Sequence, residues 1–108
     1  MKNFRDLKVW HKAHALALVI YKVTADFPSD ERYGLTSQMR RSSASIPTNI
    51  AEGCGRGSDA ELVRFLQIGM GSASELEYQL LLSKDLNYLP EPTYKQINQQ
   101  VIEVKRML

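Results

Sequence analysis

Leu7-Lys8-Val9-Trp10-His11-Lys12-Ala13-His14-Ala15-Leu16-Ala17-Leu18-Val19-Ile20-Tyr21-Lys22-Val23-Thr24-Ala25-Asp26 is the stretch whose periodicity decides the fold. Leu7, Trp10, His14, Ala17, Tyr21 and Thr24 recur at three-four spacing, which sets them on one face of a helix running from Leu7 to Asp26. Val9, Ala13, Leu16, Ile20, Val23 and Phe27 repeat at the same spacing. The apolar surface is therefore wider than one bundle seam requires, and burial beyond that seam is implied. Phe27-Pro28-Ser29-Asp30 ends the helix, because proline has no amide to donate and biases its predecessor toward extended backbone.

Working outward, a short turn near Glu31 leads into a second helix from Leu35 to about Gly53, with Leu35, Met39, Ser42, Ile46 and Ile50 inward. Pro47 lies inside it and deletes the bond to the Ser43 carbonyl, at about 3 kcal/mol in a regular helix. One kinked helix is expected rather than two, with the hydroxyls of Ser42, Ser43 and Ser45 helping to satisfy freed carbonyls. Gly53-Cys54-Gly55-Arg56-Gly57 breaks the periodicity, and Ser58 with Glu61 makes a capping box that opens a third helix at Asp59. That helix runs to about Asn87 through Leu62, Phe65, Leu66, Gly69, Ala73, Leu76, Leu80 and Ser83. After Leu89-Pro90-Glu91-Pro92, with Pro92 at the first helical position, a fourth helix spans Thr93 to Leu108 on the stripe Tyr94, Ile97, Val101, Val104 and Leu108.

Four helices with short links predict an all-α, antiparallel up-down-up-down bundle. The 108 residues suit one domain over positions 1–108. Folding about a turn near Gly57 places Ser43 opposite Gly71, so that small residues face small residues and the backbones approach; local flexibility is the other reading of Gly69 and Gly71.

Composition narrows the function. With 44% hydrophobic and 24% charged residues the chain is an ordinary globular protein, and its net charge of +2 is far from that of a dedicated nucleic-acid coat. Basic surface must come from clustering: Arg5, Lys8 and Lys12 share a face of the first helix, and Arg40, Arg41 and Arg56 cluster on or after the second. These groups either contact phosphates or form solvated faces and salt bridges. The apolar run in the first helix is too short to span a bilayer, the N-terminus lacks a secretory pattern, and the lone Cys54 suits a reducing compartment. A soluble, cytoplasmic protein is expected.

Catalytic signatures are weak. His11 and His14 are three apart, yet no further ligand lies within the same turns, so His14 is expected to pack on the bundle stripe and His11 to lie at the surface. The glycines around Cys54 imitate a phosphate loop, but no strand precedes them and no lysine follows at the needed position. Cys54 lacks a base nearby in sequence, and Glu52 is expected to pair with an arginine or cap a turn. No catalytic residue, cofactor or metal is predicted.

The segments Leu7-Lys8-Val9-Trp10-His11-Lys12-Ala13, Tyr33-Gly34-Leu35-Thr36-Ser37-Gln38-Met39-Arg40-Arg41 and Ser45-Ile46-Pro47-Thr48-Asn49-Ile50-Ala51-Glu52-Gly53 resemble the bacterial four-helix bundle protein family. Phe65-Leu66-Gln67-Ile68, Gly71-Ser72 and Glu75-Leu76-Glu77-Tyr78-Gln79-Leu80 extend the likeness over nearly the whole chain, with a more uneven match in the fourth helix. That family includes proteins encoded in intervening sequences of large-subunit ribosomal RNA genes, and it is similar to the accessory variability determinant of diversity-generating retroelements. The resemblance implies a homopentameric barrel without enzyme activity. It also implies RNA or DNA as ligand and a reverse transcriptase or another protein as partner, with Lys8, Lys12, Arg40, Arg41 and Arg56 as the candidate nucleic-acid contacts. The expectation is an oligomeric, non-catalytic binding protein; the alternative is a structural or protein-interaction module that binds no nucleic acid.

Overall fold

A computed structural model describes residues 2–108. Helix α1 spans Lys8–Thr24, α2 Leu35–Gly55, α3 Asp59–Asp85 and α4 Glu91–Met107, and no strand occurs among the described residues. Short 3-10 turns at Phe4–Asp6 and Ser29–Glu31 precede α1 and α2. Helix α1 packs on α2 and α4, and α3 packs on the same two, so α1 and α3 sit on one diagonal and α2 and α4 on the other. The result is an up-down-up-down bundle of 43 × 25 × 19 Å.

The core is the inner stripe of each helix. Ala13, Leu16 and Ile20 of α1 meet Met39, Ile46 and Ile50 of α2, Ala73, Leu76 and Leu80 of α3, and Ile97, Val101 and Val104 of α4. The second of the two α1 stripes is thus the seam. Of the first, only Ala17 and Thr24 are buried, while His14 and Tyr21 are exposed. His14 therefore does not pack in the bundle as expected: it lies stacked on Trp10, with ring centroids 4.9 Å apart and planes 7° from parallel.

Pro47 is accommodated in one continuous α2. The nearby hydroxyls do not turn back to the carbonyl that Pro47 leaves. Ser42 Oγ reaches Gln79 Oε1 at 2.7 Å, Ser43 Oγ donates to the Arg40 carbonyl at 3.1 Å, and Ser45 Oγ pairs with Ser72 Oγ at 2.8 Å. Two of these bonds link α2 to α3, so tertiary polar pairing takes the place of the expected local repair.

The same interface corrects the expected pairing of Ser43 with Gly71. A mirror about the turn fixes height along the bundle but not direction around the helix. Gly71 follows Gly69 by two residues, about 200° of rotation. Gly69 faces α2, where a Cβ would lie 3.8 Å from the Ile46 carbonyl oxygen, whereas Gly71 faces open space. The tightest approach falls at Gly53, where a Cβ would lie 2.9 Å from Phe65 Cβ and 3.1 Å from Leu62 Cδ1.

Caps fix the element ends. Ser58 Oγ accepts from the Glu61 amide at 3.2 Å, but the Glu61 carboxylate turns to Arg64 at 2.8 Å, so only half of the expected capping box forms. Helix α4 begins at Glu91, which puts Pro92 at the second helical position instead of the first. Glu31 supplies an unforeseen cap: its Oε1 accepts from the Leu35 amide at 3.1 Å, and its Oε2 from the Tyr88 hydroxyl at 3.0 Å.

Candidate functional site

The five candidate cations do not form one surface. Lys8 and Lys12 lie in the first half of α1, Arg40 and Arg41 in the first half of α2, and Arg56 just beyond the end of α2. Arg40 and Arg56 are sixteen residues apart on or just past one helix, which separates them by about 24 Å. Because α1 and α2 are antiparallel, Lys8 and Arg56 belong to one end of the bundle and Arg40 and Arg41 lie toward the other. The grouping of Arg40, Arg41 and Arg56 read from the sequence is replaced by two separate basic regions.

Three of the five already hold partners. Lys12 Nζ pairs with Glu103 of α4 at 3.0 Å, and Arg56 with Glu52 at 2.8 Å, the arginine partner expected for that carboxylate. Arg56 also lies 5.0 Å from the Phe65 ring centroid. Arg40 closes the last turn of α1: its Nε donates to Thr24 Oγ1 at 2.9 Å, a terminal nitrogen donates to the Tyr21 carbonyl at 3.1 Å, and its guanidinium sits 4.9 Å from the Tyr21 ring centroid. A cation at a helix C-terminus complements the exposed carbonyls and the macrodipole there. Lys8 and Arg41 are exposed and pair with no acid among the described residues. Arg5, read as part of the first helix, instead lies in the preceding turn with its guanidinium 4.5 Å from the Phe4 ring centroid.

Beside Arg40 and Arg41 opens a feature that charge reading missed. An apolar groove of 460 Å³ runs between α1 and α2, walled by Phe4, Trp10, His14, Leu18 and Tyr21 on one side and by Ala44, Pro47, Thr48 and Ala51 on the other. Leu18 is 60% and Tyr21 46% exposed. Its signal was the doubled stripe of α1: one stripe enters the core, and the other is left partly uncovered.

The reactive side chains are dispersed. Cys54 is buried, and that burial pushes its thiol above the ordinary range, with the Lys2 charge acting the other way. The cavity beside it, 330 Å³, is lined by Lys2, Gly57, Ser58, Asp59 and Leu62 and includes neither histidine nor Glu52. His11 Nε2 lies 2.7 Å from the Arg5 carbonyl oxygen. Among the described residues no three His, Cys, Asp or Glu side chains converge as a metal site requires. Within them, no helix is long and apolar enough to cross a membrane.

Comparison with known proteins places this geometry. The family model described as 23S rRNA-intervening sequence protein matches residues 5–108. A crystal structure of a protein of unknown function from the S23 ribosomal protein family of Bacteroides thetaiotaomicron VPI-5482 superposes with a TM-score of 0.82 at 28% identity, covering 92% of this chain and 93% of that one. Among curated proteins, none matches.

Proposed function

The chain belongs to the 23S rRNA-intervening sequence protein family, and from that premise we propose that it is a non-catalytic binding protein that assembles with copies of itself and contacts structured RNA through basic residues left open at its surface. The observation that carries this reading is the apolar groove between α1 and α2, whose α1 wall leaves Leu18 and Tyr21 exposed in the single chain. A second copy would cover this surface. A homopentameric barrel is the assembly we expect.

Lys8 and Arg41 are the foremost RNA contacts, because a cation already held by Glu103 or Glu52 must leave that partner to reach a phosphate. Assembly repeats both residues around a symmetry axis and sums their field, which offsets the small net charge of one chain. The intramolecular pairing of Lys12, Arg40 and Arg56 favours the other reading, an interaction module without nucleic-acid binding.

Light scattering across micromolar concentrations tests the assembly, and we expect a particle several times the mass of one chain. Fluorescence anisotropy with a structured RNA tests the second half: affinity should fall steeply with salt, and Lys8→Ala or Arg41→Ala should lower both affinity and the salt slope. No binding at low salt would leave only the interaction-module reading. A monomer would remove the assembly.

A further inference from the structure

We infer that the cavity at the turn between α1 and α2 receives one phosphate group of the RNA, gripped by Arg32, Thr36 and Arg40; this deepens, and rests on, the RNA-binding reading above. The cavity measures 270 Å³ and is walled by Thr24, Phe27 and Pro28 at the end of α1 and by Arg32, Thr36 and Arg40 at the start of α2. The last three follow one another at intervals of four residues, so Thr36 and Arg40 share a face of α2 and Arg32 sits just ahead of its first turn.

Thr36 is the residue that asks for a ligand. It is only 9% exposed, its hydroxyl has no hydrogen-bond partner among the described residues, and the open space it lines is this cavity. Hydroxyls so enclosed normally find an acceptor. Thr24, on the facing wall, does so within its own helix, donating to the Ile20 carbonyl at 2.6 Å. A phosphate oxygen in the cavity would give Thr36 the acceptor that the chain does not.

Charge selects the ligand. Arg40 is held in place without being neutralised, since its partners are the Thr24 hydroxyl, the Tyr21 carbonyl and the Tyr21 ring, and none is an anion. The end of α1 that it faces carries only about half a negative charge. Its Nε and one terminal nitrogen are engaged, which leaves the other terminal nitrogen free to donate. Arg32 is exposed and pairs with no acid among the described residues. The acids of the same turn stay out of the cavity: Asp26 and Asp30 are exposed, and Glu31 is bound to the Leu35 amide and the Tyr88 hydroxyl. Two guanidiniums and a hydroxyl without a carboxylate suit a phosphate, whose oxygens match the planar fork of arginine. Arg41, exposed next to Arg40, offers a flanking phosphate a contact, which favours a polymer over a free ion.

Two variants test this. Thr36→Val removes only the hydroxyl, and Arg32→Gln removes a charge at an exposed site; Arg40 is kept because it also holds the last turn of α1. Both variants should retain wild-type helix content and Tm, since neither group has a partner in the chain to lose. On titration with inorganic phosphate at constant ionic strength, the NMR signals of the Thr36 amide and the Arg40 Nε–H should shift in the wild type and shift less in either variant. In fluorescence anisotropy with the structured RNA, Thr36→Val should weaken binding about tenfold at an unchanged salt slope, and Arg32→Gln should weaken it and reduce the slope by about 1. If both variants bind the RNA as the wild type does, the inference is refuted while RNA binding stands; phosphate shifts seen together with that result would assign the cavity to a free ion. A wild type that binds no RNA at low salt refutes the RNA reading and this inference with it.

Discussion

Gly53→Ala and Gly69→Ala are the same substitution in two buried helical glycines, and the structure assigns them opposite signs. At Gly53 the added methyl would lie 2.9 Å from Phe65 Cβ, 3.1 Å from Leu62 Cδ1 and 3.4 Å from Leu62 Cα. Phe65 Cβ is fixed to the α3 backbone and cannot swing aside, so α2 and α3 must separate. Overpacking of this kind costs about 1–3 kcal/mol. The helix-propensity gain of alanine, up to about 1 kcal/mol, is reduced because Gly53 lies in the last turn of α2. Net destabilisation of about 1–2 kcal/mol follows. At Gly69 the methyl would meet the Ile46 carbonyl oxygen at 3.8 Å and Asn49 Cβ at 3.9 Å, which is ordinary contact. Alanine there gains about 1 kcal/mol of propensity with no opposing clash. Urea and thermal unfolding at one fixed protomer concentration should therefore separate the two variants by about 2–3 kcal/mol, or about 10 °C in Tm. Equal stability of the two would refute the assignment of the closest helix approach to Gly53.

Three further outcomes are expected. Glu31→Ala should lose about 1 kcal/mol, because it removes the cap on the Leu35 amide and the acceptor of the Tyr88 hydroxyl; a double-mutant cycle with Tyr88→Phe in urea should show coupling, and simple additivity would contradict the bridge. The Arg64 hydrogen bond, aided by its charge and that of Arg56, holds the Glu61 carboxyl below the ordinary carboxylate range. Its contribution is therefore present above the unfolded value and lost as pH falls through the lowered folded value. By NMR titration Glu61 should protonate at lower pH than a free glutamate, and Arg64→Gln should move it up. Native Cys54 should react slowly with a thiol reagent at neutral pH and quickly once unfolded, since burial disfavours its thiolate; rapid native labelling would overturn that.

Much of the fold was legible because three-four periodicity is a local property of the chain. Leu35, Met39, Ser42, Ile46 and Ile50 of α2 all point inward as their spacing demands. Helix α1 was harder, since both of its stripes satisfy the same rule and only the positions of α2 and α4 decide which becomes core. The basic residues were legible as charges but not as partners. Arg40 finds Tyr21 and Thr24 only because a turn returns α2 alongside α1, and Lys12 finds Glu103 only through the α1–α4 contact. Gly71 was recognised as unusual yet assigned to the wrong neighbour, because distance from a turn says nothing of direction around a helix.

The polar pairs between α2 and α3 act as a vernier on their alignment. Apolar ridges alone accept several offsets of one turn, about 5.4 Å each. Buried Gln79 favours one, since its Oε1 accepts from the Ser42 hydroxyl across the interface and a slip by a turn would leave that oxygen without its donor, at about 1–3 kcal/mol. The hairpin is thereby graduated, and the breadth of the groove wall carried by α2 inherits that graduation.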